Sequence, residues 1–493
     1  MTDYYHIYKG RKIKFVRESA FEVRSRENIS NTFINNVRND FQKNNIDIKS
    51  FSERKFIVCN DSDNVEEYLK QYKEIKTFKK ISLLKYDGVH YRENNTENYY
   101  EYILELRDLT IEINEVLHKI NLYNHSNVTL KDSVDKYIYL IESTTQDLMI
   151  PEHYKNLIYF EKNIFTIGSY ESDEMKPEYT IQEVEEKPYC KPFEHISVIE
   201  AHNYIKYNAE KIYNPKIALL DNGVFYKHYE LESAINHNLS KNYVDSADIT
   251  PTVEDFHGTA CAGIIGARRH NDKGFDGIAT GCEIIGYKIC EGNKSDNFFS
   301  SNFNFIKALY DAAFATKCDV ISCSFSLGYE CTILENLILK ITTQGKNKLG
   351  IPLVFSAGNN IREIKFPKTI PNVFTIAASN LQDEPHESNY GKNVLVSAPG
   401  ENVVTTNLPD IYGENNIELD GTQYYNYTYF RGTSASAPIV AGLIGLMLQV
   451  KPKLKLNEIK KLIKAGSKPL HNTTTNNYGS GVVNILETVK ILI

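Results

Sequence analysis

The sequence lacks the features that would place it in several common classes of protein. Its 493 residues contain no tryptophan and four methionines. The formal net charge at pH 7 is -7, so the composition does not indicate a strongly basic nucleic-acid-binding protein. Hydrophobic residues make up 42% and charged residues 24% of the chain, which excludes a wholly disordered protein and indicates a folded one.

Three motif classes are also missing. No Cys-x-x-Cys pair occurs among the eight scattered cysteines, which excludes zinc-ribbon and thioredoxin-like sites and favours reduced thiols. No His-Glu-x-x-His string occurs, which disfavours a metalloprotease. No glycine-rich phosphate loop follows a predicted strand, and Gly479-Ser-Gly481 lacks the third glycine of a dinucleotide-binding turn. A nucleotide-binding α/β enzyme is therefore disfavoured.

The chain shows no targeting or membrane-spanning pattern. Its first ten residues contain no apolar stretch and no small-residue cleavage site, so we expect a cytoplasmic protein, although export by another route would leave no mark of this kind. The longest apolar run covers 437–450, which is shorter than the roughly 20 residues that cross a bilayer. This run predicts a buried helix and no membrane span.

The composition divides the chain into three segments. Residues 1–168 alternate short strands with helices and predict a smaller α+β domain. Residues 169–192 are acidic and interrupted by prolines, which indicates an exposed linker, with a long surface loop inside one domain as the alternative. Residues 193–493 alternate fully apolar strands with helices, a pattern typical of an α/β fold with a parallel sheet covered on both faces.

Individual elements can also be predicted. In the first segment, 4–8 and 12–17 predict a hairpin, 29–41 and 65–72 predict helices, and 54–59, 81–86, 99–107 and 137–142 predict strands. In the last segment, the predicted strands are 217–220, 284–289, 320–325, 353–355 and 373–378, with a helix over 303–316.

Four strings of the last segment contain residue types that carry chemistry. Asp221 ends an apolar strand and precedes Asn222-Gly223, and His257-Gly258-Thr259 opens an apolar helix. Ser356-Ala357-Gly358-Asn359 follows an apolar strand, and Gly432-Thr433-Ser434 opens the helix that contains the long apolar run. Each string alone is also explained by a turn or a helix cap. Pro438 is expected within the first turn of its helix, where proline is tolerated.

Together, the four strings resemble the subtilisin-like serine peptidases, the subtilase family, over about 193–490. The order Asp, His, Ser along the chain is that of the family. Further strings also resemble segments of the family: 271–279, 320–328, 388–391, 398–400 and 478–484. Cys261, one turn after His257, is similar to the proteinase-K-like branch, and the kexin-like branch is kept as the other possibility.

The resemblance implies a serine endopeptidase that hydrolyses peptide bonds through an acyl-enzyme. It implies a catalytic triad of Asp221, His257 and Ser434, with Asn359 in the oxyanion hole. It also implies that substrate binds along two segments, formed by Ser326, Leu327 and Gly328 and by Ser356, Ala357 and Gly358. Protein or peptide substrates follow from this activity, with no nucleic-acid partner.

Three positions depart from the usual pattern of the family. Asn222 replaces a serine, threonine or aspartate, Thr280 replaces a proline, and Ala435 replaces a methionine. None of these changes removes a catalytic group, so they bear on specificity. A binding module that has kept the fold and lost activity is the alternative, and the four intact residues argue against it.

The resemblance leaves two further points open. Residues 1–168 are similar to a subtilase prodomain only in position and α+β character, so they could form an intramolecular inhibitor or chaperone, or an unrelated regulatory domain. Members of the family often bind calcium, but no contiguous acidic loop in the sequence places its ligands. We therefore predict no metal-binding residue and no required cofactor, and leave calcium open.

Overall fold

The computed structural model describes the greater part of the chain. The described residues are 4–8, 11–25, 47–52, 55–59, 75–92, 98–107, 112–124, 127–134, 137–144, 148–151, 154–155, 158–163, 165–169, 190–209, 212–245, 248–251, 256–268, 274–292, 297–325, 330–408, 417–419, 422–424, 427–473 and 476–493. The chain forms two compact units, the first comprising Met1–Ile164 with Asn360–Arg362, and the second comprising Phe165–Asn359 with Glu363–Ile493.

The first unit is an antiparallel sheet packed against a helix. Its elements are β1 (Tyr4–Tyr8), β2 (Arg11–Ser25), β3 (Asp47–Ser52), β4 (Lys55–Cys59), β5 (Ile75–Arg92), β6 (Asn98–Leu106), α1 (Ile113–Asn124), β7 (Val128–Ser133), β8 (Ile138–Ser143) and β9 (Ile158–Lys162). The strand order is β3-β4-β2-β5-β6-β8-β7, with β1 beside β2 and β9 beside β6. Val116 and Ile120 of α1 pack against Leu104 and Ile141 of the sheet, because residues four apart share one face of a helix.

The second unit is built on a parallel sheet. Its strands are β10 (Phe165–Ser169), β11 (Lys216–Asp221), β12 (Lys241–Asn242), β13 (Glu283–Lys288), β14 (Glu291–Gly292), β15 (Asn297–Ser301), β16 (Val320–Cys323), β17 (Leu353–Ser356), β18 (Phe374–Ser379), β19 (Val394–Pro399), β20 (Val403–Thr406), β21 (Ile417–Leu419), β22 (Thr422–Tyr424) and β23 (Tyr427–Phe430). The parallel sheet has the order β12-β13-β11-β16-β17-β18-β19, and β10-β15-β14, β20-β23 and β21-β22 form small antiparallel sheets.

Helices cover this sheet and complete the core. They are α2 (Lys191–His195), α3 (Val198–Asn208), α4 (His257–Gly266), α5 (Asn302–Tyr310), α6 (Thr332–Lys348), α7 (Thr433–Val450), α8 (Leu456–Ala465) and α9 (Ile485–Leu492). Ile217 and Leu219 of β11 lie in one core cluster with α4 and α7. Ala218 and Leu220, which point to the opposite face, are also completely buried. Both faces of the sheet are therefore covered, as the apolar strands predict.

The predicted fold class is confirmed: a subtilisin-like α/β parallel sheet follows an N-terminal region of antiparallel strands. The predicted hairpin is present as β1 and β2, which pair directly. The helices predicted over 29–41 and 65–72 lie outside the described residues, as does most of the predicted linker, 170–189. The helix predicted over 303–316 ends as a π-helix, Asp311–Ala315.

The long apolar run lies in α7, which begins at Thr433 and has 18 residues. By length and composition alone this helix could cross a membrane, but 89% of it is buried inside the unit. Burial of this extent is typical of the core helix of a globular domain, as the sequence predicts.

Candidate active site

Asp221 lies where the strand order of the parallel sheet reverses. β11, which it ends, is flanked by β13 on one side and β16 on the other. In open α/β sheets, ligands bind beyond the carboxyl ends of the strands at such a switch point. The Asp221 side chain is almost completely buried, and the N–H of Ile289 donates to its main-chain oxygen at 2.9 Å.

His257 opens α4 and faces this carboxylate. Its Nδ1 lies 2.8 Å from Oδ1 and 3.0 Å from Oδ2 of Asp221, and both side chains are buried. A carboxylate only accepts hydrogen bonds, so the contact requires the proton on Nδ1. In the neutral ring, Nε2 is then the basic nitrogen. The imidazole and the ring of Phe430 also form a T-shaped pair, at 5.1 Å between centroids.

Asn222 holds the start of α4 next to the carboxylate. Its Oδ1 accepts from the N–H of Gly258 at 2.9 Å, and its own N–H donates to Asp221 Oδ1 at 2.9 Å. The first N–H groups of a helix have no partner within the helix, so Asn222 satisfies one of them. A Cβ on Gly258 would lie 2.1 Å from the carbonyl oxygen of Gly223, which explains the glycine after the histidine.

Ser434 is the second residue of α7 and is partly exposed. Its hydroxyl donates to the main-chain oxygen of Ser324 at 3.2 Å. Ser436, two residues later, is completely buried and donates to the carbonyl oxygens of Ala398 and Pro399 at 2.9 and 3.1 Å. Of these two serines, therefore, Ser434 offers the accessible hydroxyl.

Pro438 is the sixth residue of α7, so its expected place in the first turn is wrong. A proline there has no N–H for the carbonyl of Ser434, four residues earlier. That carbonyl instead accepts from Ser324 Oγ at 3.1 Å and from Cys261 Sγ at 3.7 Å. The side chains of Ser324, which directly follows β16, and of Cys261 in α4 thus stabilise the interrupted first turns of α7.

Cys261 lies beneath the histidine and is completely buried. Its Sγ is 3.9 Å from His257 Nδ1. Burial, followed by the negative charge of Asp221, raises the pKa of this thiol well above its usual range. The thiolate is the reactive form of cysteine, so Cys261 is a packing and hydrogen-bonding group and not a nucleophile.

We expect Cys261 to resist alkylation in the native protein. With its pKa raised, the thiol stays protonated at pH 8, and it has no solvent access. Mass spectrometry after iodoacetamide treatment at pH 8 should find Cys261 unmodified, and the denatured protein, as the control, should be fully modified. Rapid native modification would contradict the buried position.

Asn359 is fixed by the residue before the serine. Its Oδ1 accepts from the N–H of Thr433 at 2.8 Å and from Thr433 Oγ1 at 2.6 Å. A main-chain N–H can only donate, so these contacts set the orientation of the amide and turn Nδ2 the other way. Gly432, at φ +72°, has no Cβ, which would lie 2.6 Å from Asn359 Nδ2.

The predicted substrate-binding residues have different outcomes. Ser326, Leu327 and Gly328 lie outside the described residues. Ser356, Ala357 and Gly358 are buried at the end of β17 and lead directly to Asn359. Their role in substrate binding stays a prediction.

The described residues offer one group with the spacing of metal ligands. Asp221, His257 and Cys261 have potential ligand atoms within 4.8 Å of one another. Calcium prefers six to eight oxygen ligands, so this set with an imidazole and a thiol does not fit calcium.

Two residues of the site are not predicted from the sequence. Thr433 orients Asn359, and Ser324 exchanges hydrogen bonds with Ser434 in both directions. Two features of the sequence point to these residues: Thr433 directly precedes Ser434, and Ser324 is a polar residue at the end of an apolar strand. Each is far in sequence from its partner, Asn359 or Ser434, so the sequence does not show that they are close.

Comparison with known proteins identifies the family. The family model described as "Subtilase family" matches residues 213–481, which is more than half of the chain. The chain is 32% identical over 236 residues to a thermophilic serine proteinase of Bacillus sp. strain AK1, covering 47% of this chain and 51% of that protein. It is 26% identical over 314 residues to a calcium-dependent protease of Trichormus variabilis, covering 56% and 46%. The chain thus spans about half the length of these relatives.

Solved structures share the fold. Fervidolysin from Fervidobacterium pennivorans has a TM-score of 0.59 at 19% identity, covering 82% of this chain and 62% of its own. A mutant form of the epidermin leader peptide processing serine protease of Staphylococcus aureus has a TM-score of 0.57 at 18% identity, covering 80% and 99%. With the matched family model, these findings show that the chain belongs to the subtilase family.

Proposed function

We propose that this protein is a serine endopeptidase that hydrolyses peptide bonds through an acyl-enzyme. Asp221, His257 and Ser434 form its catalytic triad, and Asn359 contributes to the oxyanion hole. The observation that carries the proposal is the contact of His257 Nδ1 with both carboxylate oxygens of Asp221. This contact supports a basic Nε2, which a serine nucleophile requires.

The reaction begins when Ser434 Oγ attacks the carbonyl carbon of the substrate. The hydroxyl, which donates to Ser324 in the free protein, turns its proton to Nε2 of His257. Asp221 keeps the imidazole in the required tautomer and stabilises its protonated form. His257 then returns the proton to the leaving amine, and a water molecule releases the acyl group by the same route.

The negative oxygen that develops on the substrate is stabilised by two kinds of donor. Asn359 offers Nδ2, because Thr433 occupies its Oδ1. The N–H of Ser434 lies in the first turn of α7, where the helix dipole favours negative charge. A subtilase fold without activity is the alternative, and the arrangement of these donors disfavours it.

A fluorophosphonate probe tests the proposal directly. Wild-type protein should be labelled, and peptide mapping should place the adduct on Ser434, since an activated serine reacts with this probe. Heat-denatured protein is the control and should remain unlabelled. Folded wild-type protein that takes up no probe would show the alternative, a binding module.

Replacement of Asn359 by alanine should lower kcat by about 10²–10³, the range known for removal of one oxyanion-hole donor in another subtilase, with little change in KM. The reason is that Nδ2 interacts with the oxygen only when it carries charge. Steady-state kinetics on a peptide substrate measures the two constants. A change confined to KM would assign Asn359 to ground-state binding.

We also propose that the N-terminal region, 1–168, acts as an intramolecular inhibitor or chaperone, that 169–192 is a linker, and that 193–493 is the peptidase domain. Support comes from the position of this region before the peptidase domain. Its last strand, β10, belongs to the second unit and pairs antiparallel with β15. β15 is connected to the site through Ile289, whose oxygen accepts from Ser300 Oγ and whose N–H donates to the oxygen of Asp221. Residues 165–169 are therefore extended and pair with a strand that is linked by hydrogen bonds to Asp221.

Calcium and the compartment complete the proposal. Two relatives are named calcium-dependent proteases, but the metal-spaced group among the described residues does not suit calcium, so we derive no step through it. We propose a cytoplasmic location, which agrees with the burial of Cys190, Cys282, Cys318 and Cys323 outside any disulfide. Cell fractionation tests it.

A further inference from the structure

Lys368 is a buried lysine that contacts the dipeptide 357–358, which directly precedes Asn359. It is 3% exposed and lies between β17 and β18. Its Nζ donates to the carbonyl oxygen of Ala357 at 3.1 Å and is 3.4 Å from the place of a Cβ on Gly358. Burial of an ammonium group costs free energy unless it is well hydrogen-bonded, so lysine is rarely found in such a position.

All four main-chain polar groups of the dipeptide 357–358 are hydrogen-bonded to other residues of the second unit. The N–H of Ala357 donates to Ile376 at 2.8 Å, and its oxygen accepts from Lys368 and from Asn389 Nδ2, the latter at 3.0 Å. The N–H of Gly358 donates to Thr433 Oγ1 at 2.9 Å. The oxygen of Gly358 accepts from the N–H of Asn389 at 2.7 Å.

This bonding fixes the main chain immediately before Asn359. Thr433 bonds both Gly358 and the Asn359 side chain, so it links the dipeptide to the amide. A small displacement of a group that stabilises a transition state costs much of its effect, because the donor must meet the oxygen at hydrogen-bond distance. The side chains that bond the dipeptide therefore determine the position and direction of Asn359 Nδ2.

We propose that Lys368 is a positioning residue for catalysis, which holds Ala357 and through it sets Asn359 in the oxyanion hole. The inference rests on the proposed function of Asn359. Lys368 acts through the main chain of the dipeptide. Lys368 Nζ supplies one hydrogen bond to the Ala357 oxygen, and Asn389 supplies the second.

A double-mutant cycle between Lys368 and Asn359 tests the proposal. Lys368→Met keeps an unbranched side chain that is one atom shorter and removes its donor. We expect it to lower kcat about tenfold with KM within about twofold, since the amide is misplaced and not removed. In an Asn359→Ala background, the same change should lower kcat less than about twofold, because the group it positions is absent.

Lys365→Met is the matched control, since Lys365 is an exposed lysine three residues earlier and should leave kcat unchanged. Equal losses from Lys368→Met in both backgrounds would overturn the proposal, as would an unchanged kcat. If Lys368→Met does not fold, Lys368→Gln, which keeps a donor of shorter reach, is measured in the same cycle against the same criteria.

Failure of the proposed function has a different signature. An Asn359→Ala variant with wild-type kcat would remove the oxyanion role of Asn359, and with it the positioning role of Lys368. A normal effect of Asn359→Ala together with additive losses would overturn the role of Lys368 alone.

Discussion

Ser434→Ala should lower kcat by about 10⁶, the magnitude known for the same change in another subtilase, and should abolish fluorophosphonate labelling. The variant loses the nucleophile, so neither the acyl-enzyme nor the probe adduct can form. The loss of one oxygen at a partly exposed position should leave the fold intact. Hydrolysis of a peptide substrate, labelling and circular dichroism measure these effects.

Ser436→Ala is the matched control on the same helix. Ser436 Oγ is buried and bonded to Ala398 and Pro399, so its removal should cost about 1–3 kcal/mol of stability while labelling continues. Loss of labelling in a folded Ser436→Ala variant, with labelling retained in Ser434→Ala, would show that the wrong serine has been assigned.

The sequence predicts the sheet and the order of its chemical groups, because both depend on local patterns. A run such as 217–220 is apolar at every position, which is typical of a strand covered on both faces. Asp221 follows it directly, and His257 and Ser434 each stand at the start of an apolar helix. Parallel topology then brings such residues to one edge of the sheet.

The contacts that refine the site depend on residues far apart in the chain. The proximity of Ser324 to Ser434 spans 110 positions, and that of Thr433 to Gly358 spans 75. No periodicity encodes either contact. The wrong prediction for Pro438 has the same cause. The carbonyl of Ser434 accepts its hydrogen bonds from Ser324 and from Cys261 of α4, and not from within its own helix.

The linker gives the second large expected effect. Wild-type protein should convert on incubation to a catalytic fragment by cleavage between Gly168 and Ile196, and Ser434→Ala should stay full length. The sequence of the linker is acidic and interrupted by prolines, which favours the extended, exposed chain that a protease needs. The structure removes 191–195 from this window, because α2 is helical there.

The pairing of β10 with β15 holds the chain extended where the cleavage window begins. Residues 165–169 are extended and bonded along their main chain to β15, at the start of the window. A tethered segment has a high effective concentration at the site, so the first cut should be intramolecular and its rate should not depend on protein concentration. After the cut, the N-terminal fragment should stay bound until it is degraded.

Time courses on gels at two protein concentrations, with N-terminal sequencing of the large fragment, measure the reaction. Addition of active enzyme to Ser434→Ala separates cleavage in trans from self-cleavage. Cleavage of Ser434→Ala alone at the wild-type rate would assign the processing to another protease. A wild-type chain that stays intact and fully active would show that 1–168 is not a removable prodomain, and would favour the regulatory alternative for that region.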